Sequence, residues 1–139
     1  MKKLFSLLAI LLTGATALTL NAQDNPCGVE GVVVEASSFE YSPSAIEVEV
    51  GQTVVWVNVQ GTHDVNAGMS SIGDTWNNPE TFSLGSVTGN SEGVCIGTHT
   101  FTIEGTYNYD CSIGNHAANG MVASVTVVPA MQSNTVVDI

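Results

Sequence analysis

The strongest constraint on this chain is a period of two. In Ile46-Glu47-Val48-Glu49-Val50 apolar and acidic side chains alternate. Successive side chains of a strand point to opposite faces, so such a run offers one face to a core and one to water. Further strand-forming runs lie at Gly31 to Ala36, Val54 to Val59, Thr98 to Ile103, Gly105 to Cys111 and Met121 to Val128. The fourteen glycines and many Asn and Ser residues break up these runs. No segment beyond the first 22 residues repeats apolar side chains at helical spacing. Together these features predict an all-β sandwich. Between Val65 and Val94 the pattern weakens: 68–74 and 86–93 read as loops, Thr81 to Leu84 as a brief edge strand, and Trp76 as a residue packed under a loop.

Residues 1–22 read differently. Lys2-Lys3, an apolar run from Leu4 to Leu12 and a small, polar end at Leu20-Asn21-Ala22 have the layout of a secretory signal peptide. Cleavage is expected after Ala22, with Ala17 as the alternative. The competing reading is an uncleaved anchor, but the apolar run falls short of the about 20 residues that span a bilayer, so no stable membrane insertion is expected. The expected mature chain, 23–139, has the length of one domain, located in the periplasm or secreted. Both lysines lie in the leader, there is no arginine, and all thirteen carboxylates lie beyond it. Phosphate binding draws its affinity from cationic side chains, which excludes nucleic acid as a partner. The acidity favours a protein with a basic surface, or serves only to keep an exported protein soluble. The tail from Pro129 to Ile139 carries no interpretable motif.

The chemistry is concentrated in Cys111-x4-His116-x4-Met121, a loop between two strand-forming runs. A thiolate and an imidazole are strong ligands for copper, and a thioether is a weak one that favours Cu(I). A second imidazole would complete the trigonal His₂Cys set with a long axial Met that defines a blue-copper site. His63, just past a strand end, is the candidate for that imidazole and the ligand expected to be more buried. Met69 and Met131 rival Met121, but no short loop holds either beside Cys111. His99, on the alternating run from Thr98 to Phe101, is assigned to a solvent-facing strand position.

Tyr107-x-Tyr109-x-Cys111, the turn from His116 to Met121 and the run from Val122 to Val128 resemble the copper loop of the cupredoxins of plastocyanin and pseudoazurin type. Phe39-x3-Pro43-x2-Ile46-x-Val48-x2-Gly51-x2-Val54-x-Trp56-x-Asn58, followed by His63, resembles the first half of the same family. The Cys-to-His spacing of four residues is that of azurins, where plastocyanins have two. The resemblance implies a Greek-key β-sandwich holding one type 1 copper ion on His63, Cys111, His116 and Met121. It implies a soluble, monomeric electron carrier, not an enzyme, that cycles between Cu(I) and Cu(II) by outer-sphere transfer. The His116 edge would lie in a small apolar patch with Ala117, Ala118 and Gly120, where a cytochrome c or a copper enzyme docks. A copper carrier or reservoir in the cell envelope, and a metal-free adhesive domain, are the alternatives. With Cys111 on copper, Cys27 is left to pair with Cys95; pairing of Cys95 with Cys111 would destroy the site. Asp64 stands where many members of the family have asparagine. An ionised carboxylate only accepts hydrogen bonds, and Asp64 is expected to accept from the Ser112 hydroxyl or backbone, tying the two ligand loops together.

Overall fold

The computed structural model describes residues 24–132; the expected signal peptide and residues 133–139 lie outside them. The strands are β1 (Val32–Ser37), β2 (Glu40–Ser42), β3 (Ala45–Glu49), β4 (Thr53–Asn58), β5 (Thr62–Asn66), β6 (Ser83–Thr88), β7 (Val94–Thr100), β8 (Gly105–Asp110) and β9 (Val122–Val128). They form two mixed sheets, ordered β2-β1-β4-β7 and β3-β9-β8-β5-β6. Each sheet holds one parallel pair, β1 with β4 and β3 with β9, and the chain crosses between the sheets at the connections β2-β3, β3-β4, β4-β5, β6-β7 and β7-β8. This is the predicted all-β sandwich. Among the described residues no helix is long and apolar enough to cross a membrane.

The core follows the period of two. Tyr107, Tyr109 and Cys111, at alternate positions of β8 and its end, are fully or almost fully buried. They face Val34 and Ala36 of β1 and Val54 and Trp56 of β4 in a single cluster. Tyr109 packs edge-on against both Tyr41, at 4.8 Å, and Trp56, at 5.6 Å, the geometry that the quadrupoles of aromatic rings favour. β4 is buried on its other face as well. Val55 and Val57 lie under the segment 24–31, which approaches so closely that a Cβ on Gly31 would meet Val55 Cγ2 at 2.8 Å. Covering each valine contributes about 1.5–3 kcal/mol. A disulfide between Cys27 and Cys95, with Cα atoms 4.9 Å apart, pins the segment to β7.

Several boundaries differ from those expected. β2 and β5 were not anticipated as strands, so His63 stands inside a strand and not just past one. β6 extends to Thr88, into a stretch that reads as loop, because β5 supplies it with a partner. β7 begins at Val94 and ends at Thr100, set by its antiparallel register with β4. His99 is not solvent-facing: it is half-buried, with its ring stacked on Phe82 at 4.1 Å and Nε2 3.1 Å from Glu80 Oε1. Glu80 and Phe82, both on the segment between β5 and β6, thus cover His99 on β7. Trp76, on the same segment, is half-buried beside Asn108 and Ala123 on β8 and β9.

Candidate metal centre

β5 and β8 are neighbours in their sheet but pair at one position only, Asn66 with Asp110. Beyond it the strands part, and side chains take over the missing ladder. β8 turns its hydrogen-bonding groups toward β5 at alternate residues. On one side of the shared pair, Asn78 accepts from Asn108 N at 2.7 Å and donates to Asn108 O at 2.8 Å. On the other, the Asp64 carboxylate accepts from Ser112 N at 2.8 Å and from the Ser112 hydroxyl. The Asp64 carbonyl, freed from the ladder, accepts from the Tyr41 hydroxyl at 2.6 Å. The expected Asp64 to Ser112 link is thus made twice.

His63 enters the gap between β5 and β8. The turn before it is fixed by Asn58, a fully buried side chain that donates to Gly61 O and Val87 O and accepts from Gln60 N. Gly89 lies so close to Asn58 that a Cβ there would sit 2.5 Å from its side chain. Cys111 and His116 come from the loop joining β8 to β9, which is closed by its own backbone. Cys111 N donates to Met121 O at 3.1 Å, Met121 N to His116 O at 3.0 Å, and His116 N to Ile113 O at 3.0 Å. One turn of 3₁₀ helix, Ala117–Asn119, follows His116 and ends at Gly120, whose φ of +98° suits a residue without a Cβ.

These elements bring His63, Cys111 and His116 into one cluster. Cys111 Sγ lies 3.7 Å from His63 Nδ1 and 3.4 Å from His116 Nδ1, and the two Nδ1 atoms are 3.2 Å apart. The point equidistant from all three lies about 2 Å from each, the length of a metal–imidazole bond. Three lone-pair donors aimed at one point, two of them imidazoles and one a thiol, fit a soft or borderline metal ion. Cys111 is fully buried and His63 is 3% exposed, while His116 is half-exposed, so the expected order of burial holds. Met121 is fully buried beneath the loop; Met69 and Met131 are exposed.

Burial pushes the Cys111 thiol up from its ordinary pKa, and the Asp64 charge adds to this against the lowering effect of nearby backbone groups of Asp64 and Ile113. His63 is shifted down, first by burial and then by His116, against smaller upward effects of the Gln60 backbone and Asp64. Both shifts favour neutral groups, so Cys111 would have to give up its thiol proton to hold a cation here, while His63 would offer an unprotonated imidazole.

Sequence reasoning did not anticipate three features. Asp110 is a fully buried carboxylate beside Cys111, with no cationic side chain as partner among the described residues; it accepts from Asn66 Nδ2 at 2.7 Å, Ser71 N at 2.7 Å and Ser71 Oγ at 2.9 Å. Phe39 stands edge-on to His116 with ring centroids 5.1 Å apart. Ala117, expected in the exposed patch, is 4% exposed because the 3₁₀ turn directs it inward, leaving Ala118, Asn119, Gly120 and Phe39 around His116. The period of two, which turns Tyr109 and Cys111 toward the core, places Asp110 on the opposite face of the strand and gave no sign that this face is covered.

Comparison with known proteins agrees with this geometry. Residues 29–128 match the family described as copper binding proteins, plastocyanin/azurin family. No curated protein sequence matches the chain. Among solved structures, amicyanin from Paracoccus versutus is similar at 25% identity and a TM-score of 0.52, over 70% of this chain and 81% of that one. A reduced tyrosine-for-tryptophan variant of amicyanin is similar at 25% identity and a TM-score of 0.53, over 70% and 82%. A copper-containing nitrite reductase from Thermus scotoductus is similar at 26% identity and a TM-score of 0.56, over 74% of this chain but 23% of that one. With a donor cluster suited to one copper ion and a family match over most of its length, the chain belongs to the plastocyanin/azurin family of copper-binding proteins.

Proposed function

We propose that the protein is a type 1 copper electron carrier with His63, Cys111 and His116 as the trigonal ligands and Met121 as the weak axial one. The observation that carries this reading is the triangle of Sγ and two Nδ1 atoms, with sides of 3.2 to 3.7 Å. When bound, copper supplies a one-electron Cu(II)/Cu(I) couple. The chain's part is to keep one donor arrangement for both oxidation states. His63 is fixed within a strand, Cys111 is held by Met121 O, and the two segments are joined through Asp64 and Ser112. His116 alone of the three ligands reaches solvent, and its edge is the electron exit toward a transiently docked partner.

Three lines of support bear on the setting. The nitrite reductase match spans under a quarter of that enzyme, and the only histidine of this chain outside the cluster, His99, is engaged with Glu80 and Phe82. A second histidine-bound metal centre therefore lacks ligands, and we read the protein as a monomeric carrier without enzymatic activity. A disulfide suits an oxidising compartment, in keeping with export to the periplasm or beyond after loss of residues 1–22. The surplus of carboxylates favours a redox partner with a basic surface, a cytochrome c or a copper enzyme.

The test is a visible and electron-paramagnetic spectrum of residues 23–139 loaded with Cu(II). An intense thiolate-to-copper band is expected, and Cys111→Ser abolishes it; a wild-type protein without the band overturns the reading. Rapid reduction by a basic cytochrome supports the electron carrier. Copper transfer to an apo acceptor without electron exchange would identify a copper carrier instead.

A further inference from the structure

Phe39 occupies the two-residue turn between β1 and β2 with a left-handed backbone, φ +57°. It is the only residue other than glycine with positive φ among the described residues. Such a conformation is rare and strained for a bulky side chain, and turns that need it ordinarily take Gly, Asn or Asp. The ring is not buried in return, being 44% exposed. What the strained backbone achieves is one contact: the Phe39 ring meets the His116 imidazole edge-on, centroids 5.1 Å apart and planes at 89°. The His63 ring, with its centroid 5.0 Å from that of His116, is the imidazole's other aromatic neighbour.

The contact crosses the sandwich. Phe39 belongs to the sheet containing β1 and β2, whereas the His116 loop joins β8 to β9 of the other sheet. The hydrogen bonds of that loop close within it or reach His63 and Asp64 on β5 of its own sheet, the imidazole itself being met at Nδ1 by His63 and Cys111 on its inner side. None of them restrains the imidazole from the solvent side. Rotation of this half-exposed ring would carry Nδ1 away from Cys111 Sγ, and Phe39 stands in its way.

We infer that Phe39 is a positioning residue for His116, orienting the imidazole before copper arrives and slowing its release afterwards. The inference rests on the assignment of His116 as a copper ligand. It is tested with Phe39→Gly, which removes the ring and relieves the backbone strain together, and with Phe39→Tyr, which keeps the ring. In the metal-free protein, NMR relaxation of the His116 ring nitrogens is expected to show a mobile imidazole in Phe39→Gly and an ordered one in wild type and Phe39→Tyr. Copper release to a chelator is expected to be about two- to tenfold faster in Phe39→Gly, the range that one aromatic edge contact supplies, with thermal stability unchanged. Wild-type ring order and release rate in Phe39→Gly overturn the inference, as does a rise in release that only follows a fall in global stability. Persistence of the blue band in His116→Gly would instead overturn the ligand assignment, while the relaxation measurement still decides whether Phe39 orients the ring.

Discussion

Asp64 shows how much one side chain decides here. Its carboxylate takes both hydrogen bonds that Ser112 offers, its carbonyl takes the Tyr41 hydroxyl, and it directly follows His63 in β5. Its negative charge lies one residue from His63 and is bonded to the residue after Cys111, so it favours the more positive state of a bound cation. Asp64→Asn is expected to raise the reduction potential by on the order of 40 mV, equal to about 1 kcal/mol for one electron, as read by protein-film voltammetry. An unchanged or lower potential would show that the charge is screened. The Tyr41 hydroxyl, shifted far up mainly by burial, is a neutral donor to the Asp64 carbonyl at neutral pH. Asp64 and Ser112 could be paired from sequence because each adjoins a proposed ligand. Tyr41 and Asp110 could not, since nothing local tells which strand a side chain will face across the sandwich.

At the level of elements, the centre exists because β5 and β8 are joined at one point and held apart on either side. The segment between β5 and β6 contributes to this through Asn78, which satisfies both backbone groups of Asn108 and also donates to Ala67 O at 3.1 Å. Replacing Asn78 by Ala leaves part-buried backbone groups unpaired, each costing about 1–3 kcal/mol. A loss of about 2 kcal/mol or more in urea denaturation is expected, with the copper band retained because Asp64 guards the other side of the gap. Loss of the band would mean that the two sides are coupled. This segment was the least legible part of the sequence: its order comes from side-chain bonds to a strand that follows it, not from any period of its own. The same reason hid β5, whose partners β6 and β8 lie farther along the chain.

Taken whole, the molecule is a sandwich whose one wide cross-link, 68 residues in sequence separation, fastens the N-terminal segment over β4 and β7. Closing a loop of that length stabilises the fold by about 4 kcal/mol in the chain-entropy account. The double variant Cys27→Ser with Cys95→Ser should lose about that much in chemical denaturation while keeping the copper spectrum, since Cys111 takes no part in the bridge. The charge of the whole acts at longer range. With no Lys or Arg beyond Lys3, reduction by a basic cytochrome is expected to slow as salt rises from 10 to 150 mM, values at which the screening length shrinks from about 30 to about 8 Å; a salt-independent rate would exclude electrostatic steering. By itself the sequence determined the all-β class, through alternation that needs only neighbouring residues, and it singled out Cys111, His116 and Met121 as one unit, because they share one eleven-residue stretch between two strand-forming runs. It singled out His63 by residue type and order alone. That His63 reaches the same point as Cys111, that Asp110 is buried, that His99 is covered and that Phe39 stands against His116 were decided by tertiary structure. Each depends on which strands meet across the two sheets, and that is settled by packing of the whole core, not by any local run of residues.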